Sequence, residues 1–249
     1  MTTSKQILDW CEETLQTAQF KDYAPNGLQV EGAERVDKIV TAVTAGLAAI
    51  EYAAQIGAQM LLVHHGLFWK SEPVTVTGWK RRRIAALLKH NINLVGYHLP
   101  LDAHPELGNN AQLAKLMGWQ TDYTCGEQNL LHIGRLDTPK TLAALAAQIE
   151  QKLSRRPVVI GSLGQILHKA AWCTGGAQGF FQTALDEGVQ VYITGEISEA
   201  QYHLAKETGT AFISAGHHAT ERGGIQALGQ ALRQRFHTEI YFFDEENPA

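Results

Sequence analysis

Met60-Leu61-Leu62-Val63-His64-His65-Gly66 is an unbroken apolar run that stops abruptly in two histidines and a glycine. Such a run reads as a buried strand of a parallel sheet that delivers polar groups to the sheet's carboxyl edge, where open α/β sheets place their sites. Adjacent strand residues point to opposite faces, so both histidines serve one site only if the strand breaks at the pair, which Gly66 permits. Taken alone, one packed and one exposed histidine is the simpler reading.

Working outward, 38–44 reads as a β-branched strand and 47–55 as a small-residue helix stopped at Gly57, with the second strand at 58–65. This βαβ unit recurs. A strand at 169–174, a helix at 180–187 stopped by Gly188 and a strand at 189–194 ending in Gly195-Glu196 repeat it at an offset of 131 (188 − 57). The next strands, 93–98 and 210–215, deliver His98 with Asp102 and His217 with Glu221, a histidine followed four positions later by a carboxylate in both copies. The offset there is 119 (217 − 98), so the first copy carries about 12 extra residues, which the loop after Gly66 can absorb. An internal duplication follows, with repeat units at about 38–118 and 169–236. The expected fold is α/β, two similar interlinked lobes over 1–122 and 123–249, with a site in the cleft between them.

The remaining segments fit around this frame. Ile7, Leu8, Cys11 and Leu15 have helical spacing after Ser4, a candidate N-cap, and helices are expected at 81–90, 109–117 and 199–207. Between the copies lie a strand at 130–136, a helix to Leu153 opened by Thr138-Pro139 and a short strand at 157–160; a helix at 224–236 and a strand at 238–243 close the chain.

The composition excludes several classes. A chain of 249 residues, 45% hydrophobic with net charge −4, has neither the basic surface of a nucleic-acid binder nor an apolar run approaching the ~20 residues that span a bilayer. Lys80-Arg81-Arg82-Arg83, the one basic run, reads as a solvated helix face before a phosphate site. Cys11, Cys125 and Cys173 are odd in number and lack paired spacing, which points to reduced thiols and a cytoplasmic location.

Imidazoles and carboxylates without thiolate are the ligand set of zinc, manganese or iron(II), and the strand ends offer too many for one closed tetrahedral ion. Two divalent ions fit better. Glu196 is open to three roles: ligand, base, or hydrogen-bond partner of a ligand histidine. Gly175-Gly176-Ala177-Gln178-Gly179 matches neither phosphate-loop fingerprint and reads as tight strand–helix packing.

Asp22-Tyr23-Ala24-Pro25-Asn26-Gly27-Leu28-Gln29-Val30-Glu31-Gly32, Val63-His64-His65-Gly66, His98-Leu99-Pro100-Leu101-Asp102 with Gly108-Asn109-Asn110, and Gly216-His217-His218-Ala219-Thr220-Glu221-Arg222-Gly223-Gly224 resemble the motifs of the YbgI-like family, often labelled GTP cyclohydrolase 1 type 2 homologues. The resemblance spans essentially the whole chain. It implies a dinuclear metal site held by His64, His65, Asp102, His217 and Glu221, and assembly into a toroidal homohexamer. It leaves His98 outside the ligand set, as a substrate contact or outer partner, with Glu196 and His98 the candidate catalytic groups. The activity implied is metal-dependent hydrolysis of a small molecule, with a purine nucleotide among the candidate substrates. A phosphoester or amide hydrolase and a non-enzymatic, metal-dependent assembly protein are the alternatives.

Overall fold

The computed structural model describes residues 2–249, which form two compact units. Of these, unit 1 comprises 2–108 and 224–246; unit 2 comprises 109–223 and 247–249. This differs from a division at 122. The helix Asn109–Met117 contributes Leu113 and Met117 to the core of unit 2, and the chain's last strand returns to the first sheet. A linear repeat pattern carries no signal for either.

Unit 1 is built on a five-stranded sheet in the order Glu239–Phe242, Lys38–Thr44, Met60–His65, Asn93–Gly96, Gly27–Val30. The first four strands are parallel and the last runs antiparallel. Strand alternation gives the sheet two apolar faces. Ile39, Val43, Met60, Leu62 and Val95 pack with Ile7, Cys11 and Leu15 of the helix Ser4–Leu15 and with Ile225, Leu228 and Leu232. Val40, Ala42, Leu61, Val63 and Leu94 pack with the helix Leu47–Gln55 and with Leu87. The cap of the first helix is Thr3 rather than Ser4: its hydroxyl accepts from the Gln6 amide while the Gln6 side chain accepts from Thr3 N–H.

Unit 2 holds a six-stranded sheet ordered Gln120–Cys125, Leu131–Thr141, Ile166–Trp172, Val191–Thr194, Ala211–Ser214, Val158–Ile160. Its three central strands and antiparallel edge reproduce the arrangement of unit 1. Ile39 faces Met60 and Ala170 faces Val191, so both partners are displaced by 131 (170 − 39 and 191 − 60), the offset of the sequence repeat. One face packs Ala170, Trp172, Val191 and Ile193 against Leu113, Met117, Leu145 and Ile149. On the other, Phe181 stacks on Tyr192 and meets Phe212 edge-on.

Two segments depart from their expected form. Thr138 and Pro139 lie inside the long strand Leu131–Thr141, and the helix Leu142–Leu153 is capped by Thr141, whose hydroxyl accepts from the Ala144 amide. The last helix begins at His217, not at 224, and runs to Phe236 through Gly223-Gly224. Both glycines lower helix propensity, which is why the pattern suggests a later start.

Candidate metal-binding clusters

In unit 1, His64 and His65 end their strand with ring centroids 4.5 Å apart, and ligand atoms of His64, His65 and His98 lie within 4.8 Å of one another. The strand needs no break at Gly66 for this, since His65 is still in register with Thr44. Gly66 serves differently: a Cβ there would lie 2.1 Å from Gln29 Oε1, the atom that accepts from the Leu67 amide. Each imidazole is held through Nδ1. His64 donates to the Tyr97 carbonyl at 2.9 Å, His65 Nδ1 lies 3.3 Å from Thr44 Oγ1, and His98 Nδ1 lies 2.9 Å from Asp22 Oδ1. Fixing one ring nitrogen in this way orients the other towards a cation. The buried Asp102 carboxylate stands 3.5 Å from His64 Nε2.

The 22–32 motif supports this cluster. Asp22 Oδ2 accepts from Leu99 N–H and the Asn26 amide, and Asn26 Oδ1 accepts from His98 N–H, so these two side chains set the turn into the short helix Leu99–Ala103. Burial raises the Asp22 carboxyl, but the bonds and charge of His98, then Asn26 and Leu99, take it well below the usual carboxylate range. Sequence reasoning missed Asp22, Asn26 and Gln29 as supports. The signal available was polar residues spaced through an otherwise turn-like segment.

In unit 2, His217 opens the long helix and reaches Glu221 one turn on, Nε2 to Oε2 3.2 Å, while its Nδ1 lies 2.6 Å from Glu196 Oε1. Burial depresses the His217 imidazole, but Glu221 and then Glu196 raise it to about 9. Of the three roles open to Glu196, its contacts fit the third: it is half-exposed, holds His217 and accepts from Gln178 Nε2. The glycine-rich turn also gains a reason beyond packing. Gly175 has φ +70°, and a Cβ there would lie 2.0 Å from Glu221 Oε1, so only glycine lets that carboxylate take its place.

The two His-x-x-x-carboxylate motifs are not equivalent in register. Val63 faces Gly96 and Thr194 faces Ser214, so His98 comes two residues after its strand end and His217 three. Gly216, rather than His217, stands at the level of His98. The donor set in both units, nitrogen and oxygen held by outer partners, could hold a metal ion.

A model of the DUF34/NIF3 family (NGG1p interacting factor 3) matches residues 2–248. The chain belongs to this family. Its family relatives include a Neisseria meningitidis serogroup B protein called "GTP cyclohydrolase 1 type 2 homolog", 65% identical over all of both chains. An Escherichia coli protein of the same name is 50% identical over 95% of this chain and 96% of its own. Among solved family structures, protein ybgI, described as of unknown function, superposes with a TM-score of 0.97 at 47% identity over all of both chains. A Thermus thermophilus protein follows the same fold at TM-score 0.91 and 32% identity, again over all of both chains.

Proposed function

We propose that this DUF34/NIF3 chain is a metal-dependent hydrolase of a small molecule. In this reading His64, His65 and Asp102 of unit 1 and His217 and Glu221 of unit 2 would be the ligands of two divalent ions, zinc, manganese or iron(II). The observation that carries the reading is the manner in which the imidazoles are held, each through Nδ1 to a carboxylate, a carbonyl or a hydroxyl. Five nitrogen and oxygen ligands exceed what one ion usually takes from protein.

Bound divalent ions supply a water of lowered pKa and polarise the bond to be cut. The protein's own residues do the rest. Glu196 keeps His217 in one orientation, and Asp22 does the same for His98, which stands beside His64 and His65 and would contact the substrate. Names carried by the relatives favour a purine nucleotide such as GTP. Cys11, Cys125 and Cys173, none of them in a disulfide among the described residues and two of them buried, favour the cytoplasm, and no helix among the described residues is long and apolar enough to cross a membrane. Assembly into a toroidal homohexamer belongs to the same proposal and rests on the family resemblance; light scattering that gives a monomer mass at micromolar concentration refutes it.

The test is elemental analysis of protein prepared without chelators, followed by a nucleotide and phosphoester panel read by mass spectrometry. About two ions per chain and turnover of a panel member support the reading. No metal after reconstitution with zinc, manganese and iron(II) in turn sinks it.

A further inference from the structure

Beside the histidine cluster of unit 1 lies a cleft of about 790 Å³, walled by Phe20 and Tyr23 on one stretch of chain and Phe68 and Trp69 on another. Its volume is that of small-molecule sites. Trp69 and Phe68 are partly exposed, and Tyr23 retains 53% of its accessible surface. Phe20, Tyr23 and Trp69 belong to none of the buried cores, so core packing does not account for them.

The cleft borders the histidine cluster through its lining residues. Three lining residues touch the His98 ring: Asp22 by its hydrogen bond, Tyr23 at 5.3 Å and Trp69 edge-on at 5.0 Å between centroids. Trp69 also stands 5.7 Å from His65. The charges are unequal in availability. Lys80 is buried, with Nζ 3.0 Å from the Pro73 carbonyl and 3.2 Å from Glu72 Oε2. Lys70 is exposed; its backbone N–H donates to the Tyr23 carbonyl, and among the described residues its Nζ donates to the Asp22 carbonyl alone, so the side chain can swing to a ligand. Asp22, one of the lining carboxylates, is turned onto His98, Leu99 and Asn26.

We infer that this cleft is the substrate's ring subsite, which takes a planar heteroaromatic group between Trp69 and Tyr23 and pairs an anionic substituent with Lys70. The inference rests on the hydrolase reading for the site's chemistry, but binding itself needs no turnover. Stacking on an aromatic side chain is worth ~1–3 kcal/mol per base, about 5- to 150-fold in affinity.

The probes are guanosine 5′-monophosphate, guanosine and ribose 5-phosphate, titrated calorimetrically into metal-free and metal-loaded protein. Guanosine 5′-monophosphate should bind best, Trp69→Leu should weaken it about ten-fold or more, and Trp69→Phe should restore most of the loss. Lys70→Ala should weaken guanosine 5′-monophosphate several-fold and leave guanosine unchanged. Thermal melts check that the variants stay folded. Ribose 5-phosphate binding as tightly as the nucleotide, or Trp69→Leu and Tyr23→Leu both binding at full affinity, overturns the inference. Trp69-dependent binding with no turnover of any substrate leaves the subsite standing and removes the hydrolase; turnover of ring-free substrates with no ring binding does the reverse.

Discussion

A histidine that offers one nitrogen to a cation depends on whatever holds the other. Glu196 does this for His217, and losing such a partner typically lowers metal affinity ~10–100-fold. Glu196→Gln should therefore weaken zinc binding by that factor, whereas Glu221→Ala and Asp102→Ala should each remove at least one ion outright. His98→Ala should leave the metal count intact, because the register slip puts His98 at the helix N-cap with Asp22 behind it, a level that Gly216 occupies in the other copy. Metal counting on the four purified variants decides; a site emptied by His98→Ala as fully as by Glu221→Ala makes His98 a ligand. The histidines and carboxylates of the two clusters were readable as motif residues, since strand-end histidines have a sequence signature. Their supports were not, because Asp22 meets His98 across 76 positions of chain. A second residue-scale prediction concerns His132, buried against Trp172 at 5.5 Å and 3.1 Å from Thr121 Oγ1, whose imidazole burial holds down to about 4. A neutral histidine in the fold with an ordinary pKa of about 6.5 when unfolded means the unfolded chain takes up the proton first. Stability should then fall as pH drops from about 6.5 to about 4, by up to roughly 3 kcal/mol. Urea melts of wild type and His132→Phe across that range should diverge on the acid side; parallel curves rule the effect out.

At the scale of elements, the parallel βαβ core was readable because apolar runs, β-branched residues and a stopping glycine agree at each boundary. Lys38–Thr44, Leu47–Gln55 and Asn109–Met117 stand as their patterns suggest. Elements failed where local chemistry and pairing conflict. Thr138-Pro139 looks like a helix start, yet this stretch is carried on as strand, with Lys140 and Thr141 paired to Leu167 and Ile166, so the cap passes to Thr141. The edge strand Gly27–Val30 is too short to carry a pattern, and Gln120–Cys125 has no buried face: every residue but Cys125 is exposed. Thr141→Ala should cost ~1 kcal/mol by removing the Oγ1 acceptor of the Ala144 amide. Thr138→Ala, which touches no cap, should stay within about 0.5 kcal/mol. Chemical denaturation of both variants checks the assignment, and the reverse order of costs contradicts it.

For the whole molecule, the decisive feature is that the first fold is discontinuous in sequence. The core of unit 2 draws all its buried members from between Leu113 and Ala219, inside one uninterrupted stretch. The core of unit 1 needs Ile225, Leu228 and Leu232 from the long helix, and its sheet needs Glu239–Phe242 paired to Lys38–Thr44. The duplication was visible as a repeated offset, but a repeat search runs along the chain and places each copy in its own half. It therefore cannot see a terminal segment that returns to the other copy. The consequence can be measured on fragments. A polypeptide of 109–223 carries its whole core and should fold cooperatively, whereas 1–108 leaves one sheet face without the three helix residues and one sheet edge without its strand. Three buried aliphatic side chains at ~1.5–3 kcal/mol each amount to roughly 5–9 kcal/mol, comparable with the entire stability of a small domain. The fragment 1–108 should thus be unfolded, and joining 224–246 to it through a flexible linker should restore a cooperative melt. Circular dichroism and urea unfolding of the three polypeptides make the comparison: a well-folded 1–108, or a linked version no better than 1–108 alone, shows that the returning segment is an accessory and that the division near 122 was the truer one.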